Sequence, residues 1–351
     1  GDYDVDGITS TVIVKKNLTK LGSNPFHVIP KRQTEGYGLS EKVLERGLKM
    51  GEINLVIALD CGTNSKIEAE YLEGRGIDLI VVDHHQSKEK LPSNAILVNP
   101  HVSEDHGEPW RFLCTAGLAF KLIHGMLKKL RQDGDKVALQ LSPKESIGLS
   151  GLGTIADLVP LKNENRILAN FGLKYLSQRS GIGVQALLKE AKVENTSLVG
   201  EDIAFKIAPR INACGRLDDP DLAVSLLLET DPNNCRAMAK KMNEYNEERK
   251  SIESKLSEEA LGQANNLYSE KTAVVACGEG NEWNPGVVGI VAGKLAHSLG
   301  KPCIVLAKSD NEYKGSGRGV PGVNLMNILN QCKELLTHWG GHPAAVGLSL
   351  N

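Results

Sequence analysis

The opening stretch GDYDVDG places Asp2, Asp4 and Asp6 at alternate positions between Gly1 and Gly7. Like charges at that spacing repel, so the cluster is tolerable only if its members are protonated, hydrogen-bonded or bound to cations. Further along, Asp60 closes the run LVIALD, Asp83, His84 and His85 form DHH, and Asp157 follows GTIA. Oxygen ligands with a minority of imidazole and no thiolate favour Mn²⁺ or Mg²⁺ over zinc. A set this rich in carboxylates could hold two ions sharing one bridging group, the geometry that activates water for in-line attack on phosphorus. Taken singly, each piece has a plainer reading: a solvated turn, a chance histidine pair, a helix cap at Asp157. Their joint occurrence carries the argument.

The elements that would position these residues follow from periodicity. Apolar runs typical of buried parallel strands lie at 55–60, 78–83 and 95–100, and two of them end in Asp60 and Asp83. Lys-, Glu- and Leu-rich stretches at 41–50 and 64–74 read as helices between them, giving βαβ units and a doubly wound, mostly parallel sheet. In such sheets ligands bind at the carboxyl ends of the strands. Residues 8–22 read as a helix ending at Gly22. Strand alternation before it would aim Asp4 and Asp6 the same way, with the amides of a helix starting at Gly7 nearby. Residues 115–131 and 145–195 read as helical, the latter interrupted by GLSGLGTIADLVPL. Asp231-Pro232 signals the start of a long charged helix reaching about Gly262, with one narrow apolar stripe of Met238, Met242, Tyr245, Ile252 and Leu256. The expected organisation is a first α/β domain over 1–230, a connector helix over 231–262, and a smaller α/β domain over 263–351.

The 351 residues are 41% hydrophobic and 24% charged with a formal net charge of −2, so no global basic field advertises nucleic acid and a polyanion site would be a local patch. The seven cysteines are scattered, odd in number and without C-x-x-C spacing, which excludes a disulfide framework or zinc ribbon and suits a cytoplasmic protein. There is no signal peptide and no apolar run near membrane-spanning length, so no membrane association is expected. The chain lacks an initiator Met and starts inside a motif-like string, which suggests a truncated N-terminus.

GDYDVDGITS, ALDCGT, VVDHHQ and GTIADLVPL resemble the four successive motifs of the DHH phosphoesterase superfamily, in wording closest to the RecJ single-strand-specific exonucleases. APRINACGR (208–216), KGSGRG (314–319) and GGHPAAVGLSL (340–350) resemble further RecJ motifs, the last marking the DHH-associated domain. The resemblance implies that Asp4 binds one metal and Asp6 the other, that Asp60 bridges them, and that His84 and Asp157 complete the second site. The family's histidine four residues before the first metal-binding Asp would precede Gly1. Asp2 and Asp83 become supporting residues, and His85 faces the scissile phosphate beside Asp60 and Asp83 in the catalytic group. Arg210, Asn212 and Arg216, with Ser316 and Arg318 in a Gly-rich loop and His342, become candidates for holding DNA and its 5′ end, since arginine's planar fork suits phosphate. GRGVPG also fits the dinucleotide pattern G-x-G-x-x-G, but no acidic residue follows where that motif requires one.

The function so implied is a two-ion, Mn²⁺- or Mg²⁺-dependent 5′→3′ exonuclease. It would release 5′-mononucleotides from single-stranded DNA in repair or recombination, as a monomer, with a single-strand-binding protein or helicase as candidate partners. Two alternatives stand beside it. One is a phosphodiesterase or phosphatase of the same fold acting on short oligonucleotides, cyclic dinucleotides or adenosine bisphosphate. The other is a non-catalytic DNA-binding relative serving as a replication factor.

Overall fold

The computed structural model describes the chain except residues 33, 88–90, 103–108, 195–197, 218, 279–282 and 310–311. It divides into two compact units, Gly1–Tyr245 and Asn246–Asn351.

In the first unit, α1 (Val5–Lys20) leads through α2 (Glu41–Leu48) into β1 (Leu55–Leu59), α3 (Lys66–Glu73), β2 (Asp78–Val82) and β3 (Ile96–Val98). The strands form a parallel sheet in the order β1-β2-β3, with Leu59 opposite Val82 and Val82 opposite Val98. Alternation divides their side chains between two cores. Leu59 and Val82 pack with Ile13 of α1 and with Ala116, Ala119 and Ile123 of α4 (Thr115–Gln132). Ala58, Leu79 and Val81 face Leu44 of α2 and Ala69 and Leu72 of α3. Helices therefore cover both faces of the sheet, as the β-branched strands require.

The rest of this unit is helical: α5 (Lys136–Gln140), α6 (Ile147–Ala156), α7 (Asn163–Arg179), α8 (Ile182–Glu190), and α9 (Gly200–Asp202) continuing through a π-helical turn (Ile203–Ile207) into α10 (Ala208–Leu217), then α11 (Asp221–Leu228). The stretch read as an interruption, GLSGLGTIA, is the helix α6 itself. Its glycines serve close packing: a Cβ on Gly151 would lie 2.7 Å from the Cα of Gly172 on α7. Residue 195, the end of that expected helical stretch, lies outside the described residues.

The 36-residue helix α12 (Pro232–Leu267) starts where the Asp-Pro pair signals it, Asp231 Oδ1 accepting from the amides of Asn233 and Asn234, both 2.9 Å. It ends five residues beyond the expected Gly262. Cys235, Ala239 and Met242 belong to the core of the first unit, and Leu256, Ala260 and Ala264 to that of the second. The second unit continues with β4 (Val274–Cys277), α13 (Val288–Leu299), β5 (Cys303–Ser309), β6 (Glu312–Arg318), α14 (Leu325–Gln331), β7 (His338–His342) and β8 (Ala345–Leu350). Its sheet runs β4-β5-β6-β8-β7, parallel between β4 and β5 and antiparallel elsewhere. KGSGRG is therefore mostly strand rather than loop; a Cβ on Gly317 would lie 2.6 Å from the Val346 side chain on β8. GGHPAAVG is a hairpin whose turn is Pro343-Ala344, between β7 and β8.

The Gly151–Gly172 approach is backbone against backbone and cannot be relieved by a rotamer change. Gly151→Ala is expected to cost roughly 1–3 kcal/mol, read as a lower urea midpoint. An unchanged midpoint would mean that α6 and α7 can separate freely.

Candidate metal centre

The parallel ladder runs one residue past each strand. Asp60 N donates to Val82 O (3.0 Å) and Asp83 N to Val98 O (3.1 Å), while on the opposite side of β1 Asp2 N donates to Leu59 O (3.1 Å). Three aspartates are thereby held in register at the carboxyl end of the sheet, all 1–2% exposed. Asp60 adopts φ +65°, a left-handed conformation that aspartate tolerates better than most residues, and Gly62 at φ +105° completes the turn.

Helix α1 begins at Val5, earlier than the sequence suggests, so Asp4 and Asp6 are not alternating strand residues. Asp4 is the N-cap, its Oδ1 accepting from Asp6 N (2.9 Å) and Gly7 N (3.1 Å). Asp6 lies in the first turn, and its two oxygens accept from the first amides of α4, Thr115 N to Oδ2 and Ala116 N to Oδ1, both 2.7 Å. The first turn packs tightly: a Cβ on Gly7 would lie 2.6 Å from the backbone nitrogen of Asp2. Asn212 Oδ1 accepts from Val5 N (3.1 Å), helping to close the start of α1.

Around these carboxylates the imidazole of His84 places Nε2 3.4 Å from Asp60 Oδ1, 3.6 Å from Asp157 Oδ2 and 3.7 Å from Asp6 Oδ2. Asp157 arrives at the C-cap of α6, whose close approach depends on Gly153: a Cβ there would lie 3.0 Å from Asp6 Oδ1. Among the described residues, three overlapping groups have potential ligand atoms within 4.8 Å of one another: Asp6, His84 and Asp157; Asp2, Asp4 and Asp60; and Asp60, His84 and His85. Asp60 links the second and third groups and His84 the first and third. Ligands bonded at roughly 2.1 Å sit about 3–3.5 Å apart around a hard divalent ion, close to the spacing around His84. Asp2 Oδ1 is buried without a hydrogen-bond partner. An orphaned carboxylate oxygen beside two others, with imidazole and no cysteine in the groups, fits Mn²⁺ or Mg²⁺. The residues able to hold such ions are Asp2, Asp4, Asp6, Asp60, His84 and Asp157, which draws Asp2 closer to the ligand set than the sequence suggests.

The second histidine is held differently. His85 Nδ1 lies 2.7 Å from Asp83 Oδ1, and Asp83 also accepts from the amides of His84 (2.8 Å) and Thr63 (3.1 Å) and the Thr63 hydroxyl (2.6 Å). Asn99 Nδ2 then donates to Thr63 Oγ1 and to His85 O, both 2.8 Å. On the other side, Tyr37 Oη is 3.1 Å from His85 Nε2 and donates to Asp60 O (3.2 Å). Tyr37, Thr63, Asn99 and Thr115 escaped the sequence reading. Thr115 had a signal as the first residue of a predicted helix, and Thr63 as the last residue of the ALDCGT motif.

Electrostatics follow the geometry. Burial, then the charges of Asp6, Asp4, Asp2 and Asp83, pushes Asp60 well above the usual carboxylate range. Burial, then Asp6 and Asp4, raises Asp157 to about 8, and burial with Asp4 raises Asp2. Burial lowers His84. For His85 burial opposes the charged form, but the hydrogen bond to Asp83 and its charge outweigh it and raise the imidazole to about 9. The same bonds hold Asp83 below the usual carboxylate range despite its burial.

The nucleic-acid candidates fall in two places. Arg210, Asn212 and Arg216 share α10 in the first unit, where Arg210 is 9% exposed and donates to Asn243 Oδ1 (3.0 Å) and Lys206 O (2.6 Å). Ser316 and Arg318 lie on β6 and His342 ends β7 in the second. Arg318 donates to Ser316 Oγ (2.7 Å) and Gly317 O (2.8 Å), and Ser316 Oγ to Val346 O (3.2 Å).

These shifts fix a sign for the metal-free protein. Asp157 holds a proton in the folded state up to about pH 8, while its unfolded value is near 3.8. The folded state therefore binds more protons across that window, and stability falls as pH rises through it. His85, shifted from 6.5 to about 9, adds stability below 6.5 that is lost toward 9. Melting temperatures in chelator should decline from pH 5 to 9, and saturating Mn²⁺ should flatten the slope at its alkaline end. A metal-free melting temperature that rises over this range would contradict the buried carboxylate cluster.

Comparison with known proteins agrees with this architecture. The DHH family N-terminal domain matches residues 1–153, and the DHHA1 domain matches residues 269–351. The single-stranded-DNA-specific exonuclease RecJ of Bacillus subtilis is 37% identical over the whole chain, which covers 43% of that protein. A crystal structure of exonuclease RecJ bound to manganese superposes with a TM-score of 0.85 at 31% identity, covering all of this chain and 84% of that one. The RecJ of Thermus thermophilus in complex with Mn²⁺ superposes with the same score at 29% identity, covering all of this chain and 49% of that one. The chain spans about half the length of the curated relatives it matches. With both domain matches in order and this likeness over its full length, the chain belongs to the RecJ family of DHH proteins.

Proposed function

We propose that this chain carries the catalytic core of a metal-dependent exonuclease that hydrolyses single-stranded DNA from the 5′ end and releases 5′-mononucleotides. The observation that carries the reading is the donor set gathered around Asp60 and His84, with the buried, partnerless Asp2 oxygen beside it. Support comes also from the relatives, named as single-stranded-DNA-specific exonucleases, and from related structures containing Mn²⁺ or Mg²⁺. In this reading Asp6, His84 and Asp157 would hold one ion and Asp2 and Asp4 the other, with Asp60 able to serve either. Divalent ions at such a site supply charge neutralisation at the phosphate and lower the pKa of water.

The chain's own residues do the rest. Asp83 fixes His85 in its protonated form, with Nδ1–H on the carboxylate and Nε2–H toward Tyr37 Oη. A protonated imidazole can instead turn its Nε2–H to a phosphoryl or leaving oxygen, stabilising charge or returning a proton there. Arg216, Arg318 and His342 supply positive or hydrogen-bonding groups for the strand, while Arg210 and Asn212 hold α10 and the start of α1 in place. Participation in repair or recombination, a monomeric state, and a single-strand-binding protein or helicase as partner belong to the same proposal. No helix among the described residues is long and apolar enough to cross a membrane.

The test is hydrolysis of end-labelled single- and double-stranded DNA with Mn²⁺. Mononucleotides should appear from the 5′ end of single strands, and equal loss of duplex, or release from the 3′ end first, refutes the reading. Asp60→Ala should abolish both Mn²⁺ binding and hydrolysis in a folded protein. His85→Ala should leave Mn²⁺ binding in place and lower kcat about 10²- to 10⁴-fold; an unaltered kcat removes its role.

A further inference from the structure

The N-terminus of α4 meets two carboxylates at once. The amides of Thr115 and Ala116 each take one oxygen of Asp6, and Thr115 Oγ1 donates to Asp60 Oδ1 (2.9 Å). That Asp60 oxygen is the one 3.4 Å from His84 Nε2. Each carboxylate oxygen offers two lone-pair directions. One is thus committed to α4 on both Asp6 oxygens and on the Asp60 oxygen, and one on each is left for a cation.

The amides belong to any helix beginning at this point, but the hydroxyl is specific to the side chain. Asp60 needs such a partner more than Asp6 does. It sits at a left-handed φ of +65° and is repelled by Asp6, Asp4, Asp2 and Asp83. Asp4, by contrast, is anchored by capping α1. Thr115 is fully buried, and α6 closes the neighbouring side so tightly that a Cβ on Gly153 would lie 2.5 Å from that of Ala116. The donor can neither move away nor be replaced by bulk water.

We infer that Thr115 is a positioning residue of the metal centre, its hydroxyl holding the Asp60 carboxylate in register with Asp6 before any ion arrives. The inference rests on the reading of the cluster as a Mn²⁺ or Mg²⁺ site. Outer partners of this kind are worth ten- to a hundred-fold in metal affinity or activity.

The experiment is calorimetric titration of Mn²⁺ into the full chain and its Thr115→Val, Thr115→Ala and Thr115→Ser variants, with circular dichroism of each metal-free protein. Val keeps the shape and removes the donor, Ala removes the donor together with the γ-methyl should Val fail to fold, and Ser restores the hydroxyl. Mn²⁺ affinity should fall about tenfold or more in the Val or Ala variant and return in Ser. Hydrolysis should show a lower kcat at an unchanged KM for the oligonucleotide. Parent-like Mn²⁺ affinity in the folded Val or Ala variant overturns the positioning role alone, as does a Ser variant as weak as Val. A parent chain that takes up no Mn²⁺ overturns the metal reading and this role with it.

Discussion

The carboxylates of Asp2, Asp4, Asp6, Asp60, Asp83 and Asp157 crowd the carboxyl end of a small parallel sheet, and their mutual repulsion is the constraint on which the first unit depends. Such a crowd stays together because the backbone gives the side chains no freedom to disperse. The ladder extends past β1 and β2 to lock Asp60 and Asp83, and a bond to Leu59 locks Asp2 beside them. The N-termini of α1 and α4 then direct their amides, the positive ends of two helix dipoles, onto Asp4 and Asp6. Burial first, and then repulsion that movement cannot relieve, raise the proton affinity of Asp60 and Asp157. A divalent ion relieves that repulsion without loosening the fold.

The two adjacent histidines separate into different chemistries because their partners differ. His84 is desolvated among carboxylates, and its burial favours the neutral form that a metal ligand would need. His85 is paired with Asp83, whose other bonds come from Thr63 and the backbone, and it keeps its proton. In the proposed reading these neighbours in sequence would serve as ligand and acid, a division set by one carboxylate.

Glycine is where the sequence was most ambiguous. GLSGLGTIA reads as a broken helix and KGSGRG as a loop, yet one is α6 and the other largely β6. A missing side chain marks equally a turn or a surface pressed against another element, and local pattern cannot separate the two. Gly151 against Gly172, Gly153 against Asp6, and Gly317 against Val346 are all the second case. The early start of α1 has a related cause: Asp4 reads as one of three equivalent acids until the amides of Asp6 and Gly7 are seen to need it as a cap.

By itself the sequence determined the parallel strands ending in Asp60 and Asp83, the helices between them, the Asp-Pro start of α12 and the carboxylate-rich character of the site. Those properties follow from local spacing, since burial of alternating or continuous apolar residues and capping act over a few positions. Only the tertiary structure decided that Asp2, with one oxygen unpartnered, gathers with Asp4 and Asp60, that Tyr37 meets His85, and that the hydroxyl of Thr115 reaches Asp60. Each of these depends on which lone pair faces which donor across segments far apart in the chain, and that is settled by packing, to which local periodicity is blind.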